Sequence, residues 1–292
     1  MVAKTIVITG IHSYVGNHFE SWLKSFDGRY KCFHLDLRDD GWRDFCFDGV
    51  DAIVHVSAIV HQQKCDDWES YKRVNVDLTQ NLAEHAKSCG VPQFVFLSTM
   101  AVYGKGKSLS PIYITEDTEA DPKSLYGRSK YMAEEKLREL ADERFTVSIV
   151  RPPNIYGPGC SGNYIPAFMT VASRLPVIPD CYQEVKQGLL YIDNLSELLR
   201  LVIENKSEGL FLPQDSPTLS SFELLAAMRR ALGKNVRGSR FLGCLASIFR
   251  RSKVFMKAYG GVAYSLSHEP YDGKYRVVDV ADAIQLTVGS YV

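Results

Sequence analysis

The first half of the chain alternates short apolar runs with amphipathic segments, and this alternation most limits the possible fold. The apolar runs are rich in β-branched and aromatic residues, as buried strands are. They are "TIVITG" (5–10), "KCFHLDL" (31–37), the start of "DAIVHVSAIV" (51–60), "QFVFLST" (93–99) and "TVSIVRP" (146–152). Helices with one apolar face are predicted at 14–26, 69–90 and 124–143. Strands that alternate with helices predict a parallel sheet covered on both faces.

Beyond Arg151 the pattern changes. "RPPNIYGPGCSGNYIP" predicts loop, 188–205 predicts a strand and a helix, 220–233 predicts a helix, and 234–275 has no clear pattern. The predicted fold class is α/β, a doubly wound and mostly parallel sheet with a smaller C-terminal lobe. We expect a core domain at 1–152 and the lobe at 153–292, with segments near 188–205 returning to the core.

Charge and cysteine content narrow the class of protein. Lys and Arg together number 34, as do Asp and Glu, and this neutral balance gives no support for nucleic acid as a partner. The seven cysteines include no C-x-x-C pair and no metal-ligand spacing, which indicates the reduced thiols of a cytoplasmic protein. "KTIVITG" lacks a signal-peptide pattern and no apolar run reaches the roughly 18 residues of a membrane span, so we expect no stable membrane insertion.

"TGIHSYVG" lies where the first predicted strand turns into the first helix. Gly10, Ser13 and Gly16 are spaced like the glycines of a dinucleotide loop, with serine in the middle position. In this interpretation Gly10 permits a tight turn, Gly16 lets helix and strand pack closely, and Ser13 can donate a hydrogen bond to a phosphate at the helix N-terminus. A plain strand-to-helix turn is the alternative. The first interpretation makes 1–152 a dinucleotide-binding domain.

Asp36 and Arg38 follow the second predicted strand. An acid about 20 residues after the loop commonly bonds a ribose hydroxyl, as in NAD sites. Arg38 suits the 2′-phosphate of NADP instead, and a charged surface turn is the third interpretation.

Tyr126 and Lys130 lie four residues apart on a predicted helix and therefore share a face. A nearby ammonium is expected to lower the pKa of the tyrosine, which can then move a proton to or from a substrate hydroxyl. Thr99, at the end of a predicted strand, can orient the substrate oxygen, although such residues also cap strand ends. Together these three residues form a candidate catalytic set.

Seven segments resemble the extended short-chain dehydrogenase/reductases of the NAD-dependent epimerase/dehydratase family. They occur in family order over 4–205 and are "TGIHSYVG", "DAIVHVSAIVH", "VNVDLTQNLAEHAK", "FVFLSTMAVYG", "YGRSKYMAEE", "RPPNIYGPG" and "GLLYIDNLSELL". The resemblance implies a Rossmann-like NAD(P) domain with a nucleotide-sugar lobe, and Thr99, Tyr126 and Lys130 as the catalytic triad. The implied cofactor contacts are Gly10, Ser13, Tyr14, Val15, Gly16, Asp36, Val56, Ser57, Ala58, Asn75, Tyr126, Lys130 and Pro153. The implied substrate contacts are Thr99, Asn154, Asn163, Tyr164 and the position of Gln187.

Three departures from the family pattern matter. Ser13 replaces a glycine, and only one strand fits before "DAIVHVSA" where the family usually has two, so the partner of Asp36 and the choice of NAD or NADP stay open. Gln187 stands where relatives often carry an arginine on the substrate diphosphate, and the neighbouring Lys186 could substitute for it.

Met100 and Ala101 follow Thr99, where the family's dehydratases carry an Asp-Glu pair. Without a placed acid and base we set elimination of water aside. The expected reaction is hydride transfer at C4 of a UDP-hexose, as in a UDP-glucose 4-epimerase of polysaccharide biosynthesis. The alternatives are an NAD(P)H-dependent 4-keto-sugar reductase of a UDP-deoxyhexosamine and, as a different class, a non-catalytic NAD(P)-binding sensor or scaffold.

Three further features were weighed. His55, His61 and Cys65 lack the further ligands of a metal site, and we predict none. The stretch 240–261 alternates apolar and basic residues; we interpret it as a helix capping the substrate lobe, with a membrane-surface helix as the alternative. The resemblance also implies a homodimer through the helices at 69–90 and 124–143.

Overall fold

The computed structural model describes residues 3–60, 67–160, 162 and 164–291. Its strands are β1 (Lys4–Thr9), β2 (Tyr30–Leu35), β3 (Ala52–His55), β4 (Gln93–Leu97), β5 (Tyr113–Ile114), β6 (Thr146–Val150), β7 (Asn154–Tyr156), β8 (Ile178–Pro179), β9 (Lys186–Gln187), β10 (Leu189–Tyr191), β11 (Gly209–Phe211), β12 (Leu219–Ser220), β13 (Gly238–Ser239) and β14 (Ala263–Tyr264). Its α-helices are α1 (Tyr14–Lys24), α2 (Trp68–Tyr71), α3 (Leu78–Ser88), α4 (Leu125–Leu140), α5 (Tyr164–Arg174), α6 (Ile192–Glu204), α7 (Ser221–Ala231), α8 (Arg240–Ser247), α9 (Lys253–Tyr259) and α10 (Val280–Gly289).

The chain forms two compact units, and neither is a continuous stretch of sequence. The first unit contains 1–104, 119–152 and 195–213, and the second contains 105–118, 153–194 and 214–292. The division predicted from the sequence places 105–118 in the first domain, whereas the structure groups these residues with the second unit. Of the predicted returning segment, 195–205 belongs to the first unit and 188–194 to the second.

The first unit is built on a six-stranded sheet in the order β11-β6-β4-β3-β1-β2, with every neighbouring pair parallel. This confirms the predicted α/β, doubly wound class. The chain moves outward from β1 to β2 and then returns to place β3 on the other side of β1. Ligands of such sheets bind at the carboxyl ends of the strands where the order reverses. The single strand β2 also agrees with the one strand expected before β3.

The central strands of the sheet are buried on both faces, which explains why β1, β3 and β4 carry apolar runs rather than alternating patterns. Val7, Ile53 and Phe94 pack on the face that carries α3 and α4. Phe19 of α1 is fully buried, as are the neighbouring strand residues Ile6 and Ile8. Among the described residues, no helix combines the length and hydropathy required to span a bilayer.

One predicted long helix is continuous but not uniformly α-helical. A π-helical turn, Lys72–Asp77, joins α2 to α3. Gly90 follows the helix with a φ of +79°, and the Val91 N–H donates to the carbonyl oxygen of Ala86. The glycine end cap predicted from the sequence is therefore confirmed. Single π turns inside helices are frequent at functional sites, and this one carries the buried Asn75.

The second unit corrects several sequence-based expectations. "RPPNIYGPG" was expected to be loop, yet Asn154–Tyr156 forms β7, because a parallel partner, β10, lies far along the chain. The unassigned stretch 234–275 contains α8, α9 and two short strands, β13 and β14, whose partners are β8 and β5. Strands of two or three residues have no periodicity of their own, so the sequence carries no signal for them.

Candidate active site

A crevice opens at the carboxyl ends of β1 and β3, where the sheet order reverses. Its volume is about 970 Å³. The predicted cofactor residues that line it are Gly10, Ser13, Asp36, Arg38, Val56, Ser57 and Ala58. The fold therefore gathers residues from three separate strand ends around one cavity.

The two glycines of the loop are required by close contacts. Gly10 has a φ of +81°, and a Cβ there would lie 2.8 Å from the Ser57 hydroxyl oxygen. A Cβ at Gly16 would lie 3.0 Å from a methyl group of Ile8 and 3.3 Å from one of Val56. Both roles inferred from the sequence, the tight turn and the close packing of α1 on the sheet, are confirmed.

Ser13 caps the N-terminus of α1. Its hydroxyl oxygen accepts a hydrogen bond from the Gly16 N–H at 3.2 Å. The hydroxyl proton is not used in that bond, so Ser13 can also donate a hydrogen bond to an acceptor such as a phosphate oxygen. Tyr14 and Val15 form the first turn; the Tyr14 ring lies 5.1 Å from the His18 ring, and Val15 is buried. The first N–H groups of a helix have no partner within it, which favours an anion here.

Replacing Ser13 with Ala is expected to lower the free energy of unfolding by about 1 kcal/mol, because the helix loses its N-cap acceptor. Ser13→Gly, which restores the usual family residue, is expected to lower the free energy of unfolding by only about 0.3 kcal/mol. Urea unfolding of the three proteins measures both values. Equal stability of Ser13→Ala and the parent would show that the cap contributes nothing.

Asp36 and Arg38 face the crevice as a pair. The guanidinium donates to both carboxylate oxygens of Asp36, with a shortest distance of 2.6 Å. These hydrogen bonds hold the pKa of Asp36 below its ordinary value. The carboxylate suits a ribose hydroxyl and the guanidinium suits a 2′-phosphate, and both side chains line the cavity.

Asn75 joins the crevice to the helix that carries the tyrosine. Its amide oxygen accepts from the Ile59 N–H at 2.8 Å, and its amide nitrogen donates to the Ile59 carbonyl oxygen and to the Ser129 hydroxyl, each at 3.0 Å. Ser129 in turn donates to the carbonyl oxygen of Tyr126 at 2.9 Å. Asn75 is buried and does not line the crevice, so in the structure it positions the loop after β3.

His55 is fully committed to the protein interior. Its two ring nitrogens lie 2.9 Å from the hydroxyl oxygens of Thr9 and Thr79. Thr79 donates to the Asn75 carbonyl oxygen, so the ring nitrogen facing Thr79 carries the proton, and Thr9 donates to the other nitrogen. Burial lowers the pKa of His55 to about 3. Of the other residues weighed for a metal, His61 and Cys65 lie outside the described residues, and the described part contains no cluster of three ligand-type side chains.

Thr99 and Tyr126 form a hydroxyl pair. Thr99 lies two residues after β4 and caps the 3₁₀ turn Met100–Tyr103 by accepting a hydrogen bond from the Ala101 N–H at 3.2 Å. Its hydroxyl is also hydrogen-bonded to the Tyr126 hydroxyl. Burial raises the pKa of Tyr126 to about 12, while the bond from Thr99 acts in the opposite direction. The hydrogen bond from Thr99 therefore favours the phenolate form of Tyr126.

Lys130 lies one turn beyond Tyr126, as predicted, but its charge is used differently. Its ammonium nitrogen lies 4.1 Å from the centre of the Phe96 ring. Burial lowers the pKa of Lys130 to about 7, opposed by the nearby Glu134. The pKa of Tyr126 is therefore raised and not lowered as expected, because burial is the largest influence on it. Within the described residues Lys130 makes no hydrogen bond, so its N–H donors are available to a ligand.

A buried ion pair fixes the helix that carries Tyr126 and Lys130. The Arg151 guanidinium donates to both oxygens of Glu134, at 2.9 and 2.5 Å, and the two side chains are at most 5% exposed. Ser98 donates to the same carboxylate, and Arg138 adds a bond at 2.9 Å from the surface side. Arg151 also packs 4.8 Å from the Tyr103 ring centre. These contacts tie α4 to β4 and β6.

In the second unit, Gln187 and Lys186 are both held by protein partners. The Gln187 amide nitrogen donates to the Ser221 hydroxyl at 3.1 Å and to the Gly260 carbonyl oxygen at 2.8 Å. Lys186 pairs with Glu223 at 2.7 Å, so its charge already has a partner within the protein. Asn163 lies outside the described residues. Pro153 is partly buried, and Asn154 is exposed at the start of β7.

Lys107 is the cation that sequence reasoning missed. It donates to the Gln187 amide oxygen at 3.3 Å, and its nitrogen lies 4.2 Å from the centre of the Tyr164 ring. Two predicted substrate residues therefore meet around this lysine. Lys107 also lines a cavity of about 400 Å³ with Arg251, Lys253 and Lys257. Burial and the charge of Lys257 lower its pKa to about 8. Its only sequence signal is the short basic segment "KGK" after "VYG".

The residues present fit a nicotinamide dinucleotide. The glycine loop leaves room for a pyrophosphate at the start of α1, Asp36 and Arg38 stand at the end of β2, and no hydrogen bond within the described residues uses the N–H donors of Lys130. These features define a doubly wound dinucleotide-binding domain with a tyrosine–lysine pair, the arrangement of a hydride-transfer enzyme.

Comparison with known proteins identifies the family. The family described as "NAD dependent epimerase/dehydratase family" matches residues 6–210. The chain belongs to this family, and it is an NAD-dependent enzyme.

Three relatives illustrate the similarity. The UDP-glucose 4-epimerase of Vibrio cholerae is 30% identical over 254 residues, which cover 79% of this chain and 76% of that protein. An N-acetyl-α-D-glucosaminyl-diphospho-ditrans,octacis-undecaprenol 4-epimerase of Escherichia coli O157:H7 is 29% identical over 206 residues, 69% of this chain and 60% of that protein. The crystal structure of UDP-glucuronic acid 4-epimerase from Bacillus cereus in complex with NAD superposes with a TM-score of 0.73 at 18% identity, covering 98% of this chain and 96% of that one.

Proposed function

We propose that the protein is a sugar-nucleotide 4-epimerase that acts by hydride transfer at C4 of a UDP-hexose. The observation that carries the proposal is the Thr99–Tyr126 hydroxyl pair, with Lys130 one turn further along the same helix. This set can bind a sugar hydroxyl and move its proton, which is the requirement for interconverting an alcohol and a ketone.

The chain's own residues supply positioning and proton transfer. Thr99 orients the reacting oxygen, Tyr126 accepts its proton in the oxidative half and returns it in the reductive half, and Lys130 contributes N–H donors beside them. NAD bound in the crevice would supply the hydride chemistry. Gly10, Ser13 and Asp36 are the residues that would hold it in the crevice.

The positions after Thr99 argue against loss of water. Met100 and Ala101 begin the 3₁₀ turn, and neither side chain can act as an acid or a base. A dehydratase needs such groups to remove a proton and protonate the leaving hydroxyl. This favours chemistry confined to one carbon.

A 4-keto-sugar reductase is the second candidate. Burial raises the pKa of Tyr126 to about 12, so the hydroxyl form dominates and the phenolate that an epimerase needs for its oxidative half is the minor form. A protonated tyrosine is ready to donate to a carbonyl oxygen, which is the step that a reductase uses once per turnover. The non-catalytic sensor is disfavoured because Thr99, Tyr126 and Lys130 are all present.

The deciding experiment uses UDP-glucose or UDP-N-acetylglucosamine deuterated at C4. An epimerase inverts C4 without net consumption of cofactor, and the deuterium returns to C4 of the product. A reductase instead oxidises NAD(P)H stoichiometrically when given a UDP-4-keto sugar. A polyprenyl-diphosphate-linked sugar belongs in the same assay, because one relative carries that substrate in its name. Absence of any nicotinamide nucleotide binding would overturn both candidates.

We also propose that Lys107 provides the positive charge for the substrate diphosphate, in place of the arginine that relatives carry at the Gln187 position. A charge-assisted hydrogen bond contributes about 1.5–3 kcal/mol, so Lys107→Met is expected to raise KM about 10- to 100-fold with a smaller effect on kcat. Lys105→Met, an exposed neighbour, is the matched control. An unchanged KM in Lys107→Met would remove Lys107 from the substrate site.

The pH dependence of KM provides a second test of this lysine. An amine whose pKa is about 8 is charged below that pH and neutral above it. KM is therefore expected to rise as the pH increases through about 8, and Lys107→Arg, which stays charged, is expected to remove this rise. A profile that is the same in both proteins would contradict the assignment.

A cytoplasmic location and a homodimer through α3 and α4 complete the proposal. Reduced cysteines support the first, and the family resemblance supports the second. Sedimentation velocity of the purified protein tests the dimer.

A further inference from the structure

Helix α8 turns its apolar side toward solvent. Phe241, Leu245 and Ile248 are spaced along one side of the helix at intervals of four and three residues, and they are 72%, 44% and 73% exposed. Surface helices normally turn such a stripe toward the core. We call these three residues together with Cys244, which is also exposed, the apolar stripe.

The opposite side of α8 fixes this orientation. Gly243 is buried, and a Cβ there would lie 2.3 Å from the carbonyl oxygen of Asp180. Ser239 caps the helix by accepting from the Leu242 N–H at 3.2 Å, and it is held by pairing of β13 with β8. The helix therefore packs through its small residues and presents its large apolar ones to the outside.

The exposed apolar surface continues past the end of α8. Phe249 is 66% exposed, and Val254, at the start of α9, is 80% exposed. Phe241, Ile248, Phe249 and Val254 are the four most exposed large hydrophobic residues in the described part of the chain. A cluster of this kind on a soluble unit indicates an interaction surface.

Along the sequence, the segment that carries the apolar stripe has charge of one sign, although Asp180 packs against Gly243 of α8 from the loop after β8. From 224 to 268 the sequence contains nine Lys and Arg residues and no Asp or Glu, although the whole chain is neutral. Arg240 and Arg250 flank the stripe and are exposed, and neither forms an ion pair with the residues that the structure describes. Basic side chains beside exposed Phe, Leu and Ile form the pattern of a helix that lies in an anionic membrane interface.

We infer that α8 and the turn after it dock on the surface of an anionic lipid bilayer. The stripe enters the acyl boundary, and Arg240 and Arg250 contact lipid phosphates. A second copy of this chain fits less well, because it would bring the same positive charges face to face. The inference goes beyond the proposed function and does not depend on it, since binding is measured without turnover.

The test is vesicle flotation with the full chain at low and high salt. We expect binding to vesicles containing about one third phosphatidylglycerol, little binding to pure phosphatidylcholine, and weakening with salt. Phe241→Ser/Ile248→Ser and Arg240→Glu/Arg250→Glu are each expected to reduce partitioning at least about tenfold. Leu286→Ser and Lys105→Glu/Arg144→Glu are exposed controls and are expected to bind like the parent.

A fluorescence measurement covers the case in which a double variant fails to fold. Phe249→Trp replaces one large exposed aromatic residue with another, and its difference spectrum against the parent is expected to shift to shorter wavelength only with anionic vesicles. Three results overturn the inference: no flotation with anionic vesicles, equal flotation of stripe and control variants, or self-association that the stripe variants abolish in sedimentation.

Discussion

Tyr126→Phe is expected to lower kcat by about 10² to 10⁴, because the variant keeps the ring and loses the group that moves the proton. Cofactor affinity is expected to stay close to that of the parent, since the crevice is lined by other residues. Turnover of a UDP-hexose and titration with NAD, measured on the same preparation, separate the two effects.

Tyr131→Phe is the matched control for this prediction. Tyr131 lies on the same helix, is partly buried, and is next to Lys130 in sequence. It is expected to retain the parent's activity. If Tyr126→Phe also retained most of its turnover, the catalytic assignment would fail and the sensor or scaffold interpretation would gain support.

The second large effect is on stability. Arg151→Met is expected to lower the free energy of unfolding by about 3–5 kcal/mol, because it leaves the buried Glu134 carboxylate without its bidentate partner. Arg138→Met removes the partner on the solvent side, which is 40% exposed, and is expected to cost less than about 1 kcal/mol. Urea denaturation of the two variants gives both numbers.

A double variant isolates the ion pair itself. In Arg151→Met/Glu134→Leu no charge is left unpaired in the interior, so its stability is expected to exceed that of Arg151→Met alone. A double variant that is no more stable than the single one would mean that packing around Tyr103 and Ser98, rather than the unpaired charge, causes the loss.

The sheet could be predicted because its strands and helices carry strong local patterns. β1, β4 and β6 are short, mostly buried runs rich in β-branched and aromatic residues, and α1 and α4 have clear amphipathic periodicity with serine caps at Ser13 and Ser124. Their signals come from residues close in sequence, and burial in a parallel sheet strengthens them.

The second unit could not be predicted in the same way. β7 pairs with β10 and β9 with β12, so each short strand depends on a partner more than 30 residues away. The same is true of Lys107, whose contacts with Tyr164 and Gln187 follow from the fold and not from spacing. Long-range pairing leaves no periodic trace in the sequence.

The sequence motif predicted the three residues of the triad, but it did not predict the directions in which their pKa values shift. The sequence placed Lys130 on the face of Tyr126, and the usual effect of an ammonium on a phenol was then expected. The pKa of each group is instead shifted mainly by burial. Desolvation depends on how deeply a residue is buried in the fold, and the residues next to it in sequence do not determine that depth.

The interleaved connectivity of the first unit has a consequence for how the chain is made. β11 completes the sheet beside β6, and Glu197 of α6 accepts from the Trp22 indole at 3.0 Å. A ribosome that has released only the first 152 residues has therefore made five of the six sheet strands, and the edge of β6 that later pairs with β11 has no partner. Such edges bind other extended chains. Until residue 211 emerges, this edge stays exposed, and slower elongation lengthens the exposure. Chaperone binding is therefore expected to concentrate in that interval.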